Sequence, residues 1–121
     1  MKFVAGSPRV KRCAKALKRS LDRNGEYVSY NRCLDISSRL YGYAHYQDVC
    51  AREGTLPLSR PDEEVDDATR EARFVLQEDV MQREGYGPIG GSVLDEVDPT
   101  ANVVGKGMRA AADRGQHTVA I

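Results

Sequence analysis

The sequence predicts a mainly α protein: a compact three-helix N-terminal module, one long acidic helix, and a Gly-rich C-terminal tail able to form a small β-hairpin. Three observations predict it. Apolar residues recur at three- and four-residue intervals in three stretches before residue 54, each closed by a glycine. A run of acids opens a fourth helical pattern, where the helix dipole favours negative charge. Seven of the last 37 residues are glycine, and there the periodicity fades. The organisation expected is a basic helical module at 1–54, a linker at 55–61, the long acidic helix at 62–85, and the Gly-rich tail at 86–121, flexible in part.

Ser7-Pro8 reads as the start of the first helix, with Ser7 as cap and Pro8 at a position whose missing amide is harmless. The helix is expected to run to about Asn24 and end at Gly25. Val10, Cys13, Ala14, Leu17 and Leu21 make its apolar stripe, while Arg9, Lys11, Arg12, Lys15, Lys18, Arg19 and Arg23 fill most of the rest. Ser29 caps a second helix with Tyr30, Cys33, Leu34, Ser37, Leu40 and Tyr41 inward, stopped by Gly42. A third, from about Ala44 to Glu53, presents Tyr46, Val49 and Cys50 on one side. Gly54 and the linker TLPLSRP follow, too rich in proline for helix. In the long helix Val65, Ala68, Ala72, Val75, Leu76 and Val80 take helical spacing. Beyond Gly85, SVLDEV, ANVV and HTVAI read as short strands separated by DPT and GKG, and MRAAADR as a helical turn.

Composition narrows the function classes. With 40% apolar and 30% charged residues the chain is neither a membrane protein nor fully disordered. It has no apolar run long enough for a membrane span, and its N-terminus turns basic before a leader could develop, so the expectation is a cytoplasmic protein. Cys13, Cys33 and Cys50 are an odd set without CxxC spacing, which suits reduced core thiols. The zero net charge hides a split. Residues 1–50 carry ten Lys/Arg against four Asp/Glu, and residues 51–121 carry eight against fourteen, giving +6 and −6.

No motif points to chemistry. GYGPIGG at 85–91 spells G-x-G-x-x-G but follows a helix, contains Pro88 and precedes an apparently extended segment, so it reads as a helix stop and turn. GKG at 105–107 is a turn. Cys13, Cys33, Cys50 and His45 lack the close pairing of zinc ligands. His45 with Asp48 has no nucleophile beside it and reads as surface or capping. Glu63, Glu64, Asp66 and Asp67 read as a solvated face. The two helices joined at Gly42 suggest a helix-turn-helix, but AHYQDV offers too little basic or polar chemistry to read bases. Tyr41, Tyr43 and Tyr46 read as core before they read as a stacking platform.

Leu17, Leu21, Gly25, Val28, Ser29, Leu34, Ile36, Leu40, Gly42, Tyr43, Tyr46 and Val49 form a pattern across residues 11–50. It resembles a small helical module, of unassigned role, found in bacterial proteins labelled glyoxalase-superfamily-like. Where that module usually has a Trp this chain has Tyr46, and its Ser-His appears as Ser29-Tyr30. The resemblance implies a helical fold and no reaction. Glyoxalase chemistry would need His and Glu metal ligands on strands, and only His45 and His117 are present.

The function expected is therefore a small non-enzymatic binding or regulatory protein, without cofactor, metal or catalytic residues. It would occupy a partner protein's surface, as an inhibitor or regulator from a mobile element, or pair with a second copy of itself. Lys11, Arg12, Lys15, Lys18, Arg19 and Arg23 are the candidate binding residues. The alternative is a nucleic-acid-binding accessory protein using the same helix; the third is an accessory domain of an enzyme.

Overall fold

Proline in the first turn and glycine after the last turn set most of the helix limits. The computed structural model describes residues 3–106, and these form five helices and no strand: α1 Ser7–Arg23, α2 Tyr30–Leu40, α3 Tyr46–Arg52, α4 Asp67–Arg83 and α5 Gly87–Val97. A 3-10 turn at Asp62–Glu64 precedes α4.

Helix α1 borrows its cap. Its N-cap residue is Gly6, not Ser7, and Glu53 at the end of α3 accepts from the Ser7 amide at 2.9 Å and the Ser7 hydroxyl at 3.1 Å. A carboxylate there satisfies orphan donors and meets the positive end of the helix dipole. Helix α2 is capped by Ser29, which accepts from the Arg32 amide at 3.2 Å. At its other end Gly42 (φ 92°) donates to Arg39 and Tyr43 donates to Ser38, the paired bonds that require a left-handed residue. The same pair closes α4 at Gly85, through Gly85 to Gln82 and Tyr86 to Met81.

Helix α1 packs on α2 and α5, and α4 packs on the same two. The small α3 sits against α2 and α1. Since α1 and α4 share hardly any contact with each other, they stand on one diagonal of a four-helix arrangement and α2 and α5 on the other. Their outward faces consequently point to opposite sides of the molecule. The predicted α1 stripe is buried in full, and Cys33, Ile36, Leu40, Tyr41, Tyr43 and Val49 meet it from α2, the α2–α3 joint and α3.

Several expectations need correction. Residues 92–97 are helical rather than extended, because Pro88 starts a helix whose Val93, Leu94 and Val97 enter the core. Asp98 (φ 50°) ends it, and Pro99, Thr100 and Ala101 turn into the interior as a buried corner, where DPT was expected to link strands. Residues 101–104 are bends and a turn. HTVAI and MRAAADR lie outside the described residues. The acidic helix starts at Asp67, and the acids before it belong to the 3-10 turn and to its cap, Asp66, which accepts from Thr69 at 2.7 Å. Helix α4 is rotated from the expected stripe: Val80 is buried and Leu76 packs on the core, but Arg73, Gln77 and Met81 are buried beside them, whereas Val75 is 60% exposed. Cys50, expected inward, is exposed.

The buried polar residues of α4 close on the 98–101 corner. Arg73 pairs with Asp62 at 3.0 Å, Asp62 accepts from the Thr100 hydroxyl at 2.8 Å, and that hydroxyl accepts from Gln77 at 2.9 Å. The Arg73 guanidinium lies 4.7 Å from the centre of the Phe3 ring, and that of Arg9 5.3 Å from it. Arg9 and Tyr41 both donate to the Pro99 carbonyl, at 3.0 and 2.7 Å. Polar bonding thus fastens the N-terminus, α1, α2 and α4 to one corner, although Arg73 Nε and Gln77 Oε1 are buried there without a hydrogen-bond partner among the described residues.

Candidate binding face on the first helix

The six cations named from the sequence share the outward side of α1, within an arc of about 140° and a length of about 18 Å at 100° and 1.5 Å per residue. Their environments differ. Lys18 is half-buried and donates to the Val28 carbonyl at 2.8 Å, with Asp22 at 3.6 Å, so it ties α1 to the α1–α2 link. Arg23 pairs with Glu96 of α5. Lys11, Arg12, Lys15 and Arg19 are exposed and make no ion pair among the described residues. They form the middle of the stripe.

Elsewhere the basic half is answered by the acidic half. Glu84, only slightly exposed at the end of α4, receives Arg39 at 2.6 Å and Arg32 at 3.4 Å. Arg23 of α1 meets Glu96 of α5. The charge split seen along the chain is thus cancelled internally at α2 and at α5, and left open along α1. The tyrosines do not extend the stripe: Tyr41 and Tyr43 are buried and Tyr46 packs against the core, while Tyr27, 84% exposed, follows α1.

The thiols and the histidine differ in setting, Cys50 being exposed and Cys13 and Cys33 buried. Burial raises the Cys13 thiol to about 11 and pushes Tyr41 well above the ordinary phenol range. Burial also raises Cys33. His45 caps α3, its Nδ1 accepting from the Asp48 amide at 3.2 Å, and Asp48 itself holds Arg52 at 2.8 Å. Among the described residues no three His, Cys, Asp or Glu converge as a metal site. A groove of ≈ 620 Å³ runs between α4 and α5, lined by Glu78, Gln82, Gly87, Pro88, Gly90 and Gly91. No helix among the described residues is long and apolar enough to cross a membrane.

Sequence reasoning missed the corner made by Arg9, Asp62, Arg73, Gln77 and Thr100. A signal was available: Arg73 and Gln77 are four apart, in register with Val80 and Met81, but a polar pair in that register reads as solvent-facing.

Comparison with known proteins adds no identity: no family model matches the chain, and no curated protein or solved structure matches it.

Proposed function

We propose that this protein is a non-enzymatic binding protein that occupies an acidic surface of a partner protein with the outward face of α1. The observation that carries the reading is the contrast within the basic half: Arg23, Arg32 and Arg39 are engaged by carboxylates of the same chain, while Lys11, Arg12, Lys15 and Arg19 stay open on one ridge. Maintaining like charges side by side on a helix is mildly unfavourable on its own, and an anionic partner relieves it. Such a face speeds encounter and selects partners by sign more than it adds raw affinity.

Affinity purification from native cells, with the parent chain and with Lys11, Arg12, Lys15 and Arg19 all changed to Glu, tests the reading. The parent recovers a protein with an acidic contact surface and the variant does not. Equal recovery by both would remove α1 from the contact. Recovery of nucleic acid alone, lost as salt rises, would replace the reading with phosphate-backbone binding.

A further inference from the structure

The diagonal placement of α1 and α4 gives the molecule two opposed charged sides. On one side lie Lys11, Arg12, Lys15 and Arg19. On the other, Asp67, Glu71 and Glu78 are exposed along α4, Asp67 pairing with Arg70. Val75 stands exposed between Glu71 and Glu78, one helical turn from each, beside the groove along α5.

The geometry points to head-to-tail association of this chain with a second copy, the α1 cation ridge of one lying along the α4 carboxylate ridge of the next. This rests on the reading of α1 as a contact face and names the occupant. Charge complementarity selects it. Pairing α1 with α1 or α4 with α4 sets like charges together, so the favourable contact is between unlike faces. The two ridges are also of similar length, about 12 Å from Lys11 to Arg19 and about 16 Å from Asp67 to Glu78 at 1.5 Å per residue. Because the faces point to opposite sides, a copy cannot return both contacts to the same neighbour, and the interface is heterologous. The product is a dimer that can add further copies, not a closed two-fold pair. The exposed Val75 side chain gives this contact an apolar centre between its charges.

Two variants of the full chain test this: Lys15→Glu with Arg19→Glu on α1, and Glu71→Lys with Glu78→Lys on α4, followed by sedimentation equilibrium at about 0.02 M and about 0.5 M salt, where screening lengths differ severalfold. Far-UV circular dichroism first establishes that both variants are folded. The parent associates at low salt and is weakened about tenfold or more at high salt. Each variant alone is monomeric, because its altered face carries mixed charge and no longer complements the intact one. An equimolar mixture of the two associates again as a pair, the intact α1 of the α4 variant meeting the intact α4 of the α1 variant. A parent that stays monomeric at low salt overturns the inference, as does association that survives either double change or a mixture that stays monomeric. Association appearing only on adding duplex or single-stranded nucleic acid also overturns it. If the parent is monomeric yet its capture of another protein still depends on α1, self-association falls and the reading of α1 as a binding face stands.

Discussion

Helices α1 and α4 are both 17 residues long and occupy equivalent corners, yet they divide their residues in opposite ways. Helix α1 buries Val10, Cys13, Ala14, Ala16, Leu17 and Leu21, with Ser20 the one polar exception, and gives its outside to cations. Helix α4 buries an arginine and a glutamine among Val80 and Met81, and leaves Val75 in solvent. The difference teaches where specificity is held. Packing on α1 is non-directional, so its exterior is free to vary without disturbing the fold. Packing on α4 is directional, since the Arg73 guanidinium must find Asp62 and Gln77 must find Thr100.

The largest test of that contrast is on the buried pair. Arg73→Met is expected to cost about 3–5 kcal/mol by leaving Asp62 charged and buried, measured by denaturant unfolding, and adding Asp62→Leu recovers most of it. On α1, Leu17→Ala costs about 2–5 kcal/mol as a cavity, with no second-site change that restores it. If Arg73→Met costs less than about 1 kcal/mol, the two helices are held in the same way and the contrast is lost.

The next effect is steric. A Cβ at Gly90 would lie 3.1 Å from the Cβ of Met81, so a side chain there requires α4 or Met81 to give way by a few tenths of an ångström. Gly90→Leu should destabilise by about 1–3 kcal/mol, read as a lowered thermal midpoint, whereas Gly91→Leu, with open space around it, should change it far less.

Alkaline pH gives a graded test of the apolar side. The Cys13 thiol is raised from 9.0 to about 11 by burial. Between those values the unfolded chain has lost that proton and the folded chain keeps it, so stability falls as pH rises from about 9 towards about 11. Cys13→Ala should flatten that slope in unfolding measured across the range. Thiol titration adds to this: with Cys13 and Cys33 buried and Cys50 exposed, Cys50 should react in the native state and the other two only after unfolding.

The smallest expected change is on the cation ridge. Reversing Lys15 and Arg19 to Glu should leave unfolding free energy within about 0.5 kcal/mol of the parent, as exposed positions do. A larger loss would mean that the ridge serves the fold.

How much of this was legible follows from the same contrast. The α1 stripe, the Ser29 cap and the stops at Gly25, Gly42 and Gly85 were readable because each rests on local chemistry at fixed spacing. The inward face of α4 was not, because the rule that apolar means inward chose Ala68, Ala72 and Val75 over Arg73 and Gln77. Residues 92–97 were read as extended because periodicity fades in a glycine-rich stretch, yet burial of Val93, Leu94 and Val97 against α1 and α4 outweighs the low helix propensity of Gly90 and Gly91. The candidate residues were legible as a group. Which four of the six are open was not, since the carbonyl of Val28 and the carboxylate of Glu96 reach Lys18 and Arg23 only in the folded chain.

Acetylation footprinting of the lysines, on the free protein and on the complex recovered from native cells, tests most directly whether the outside of α1 is the working surface. The account predicts that Lys11 and Lys15 lose reactivity in the complex. Unchanged reactivity at Lys11 and Lys15 in a complex that is demonstrably formed would contradict it.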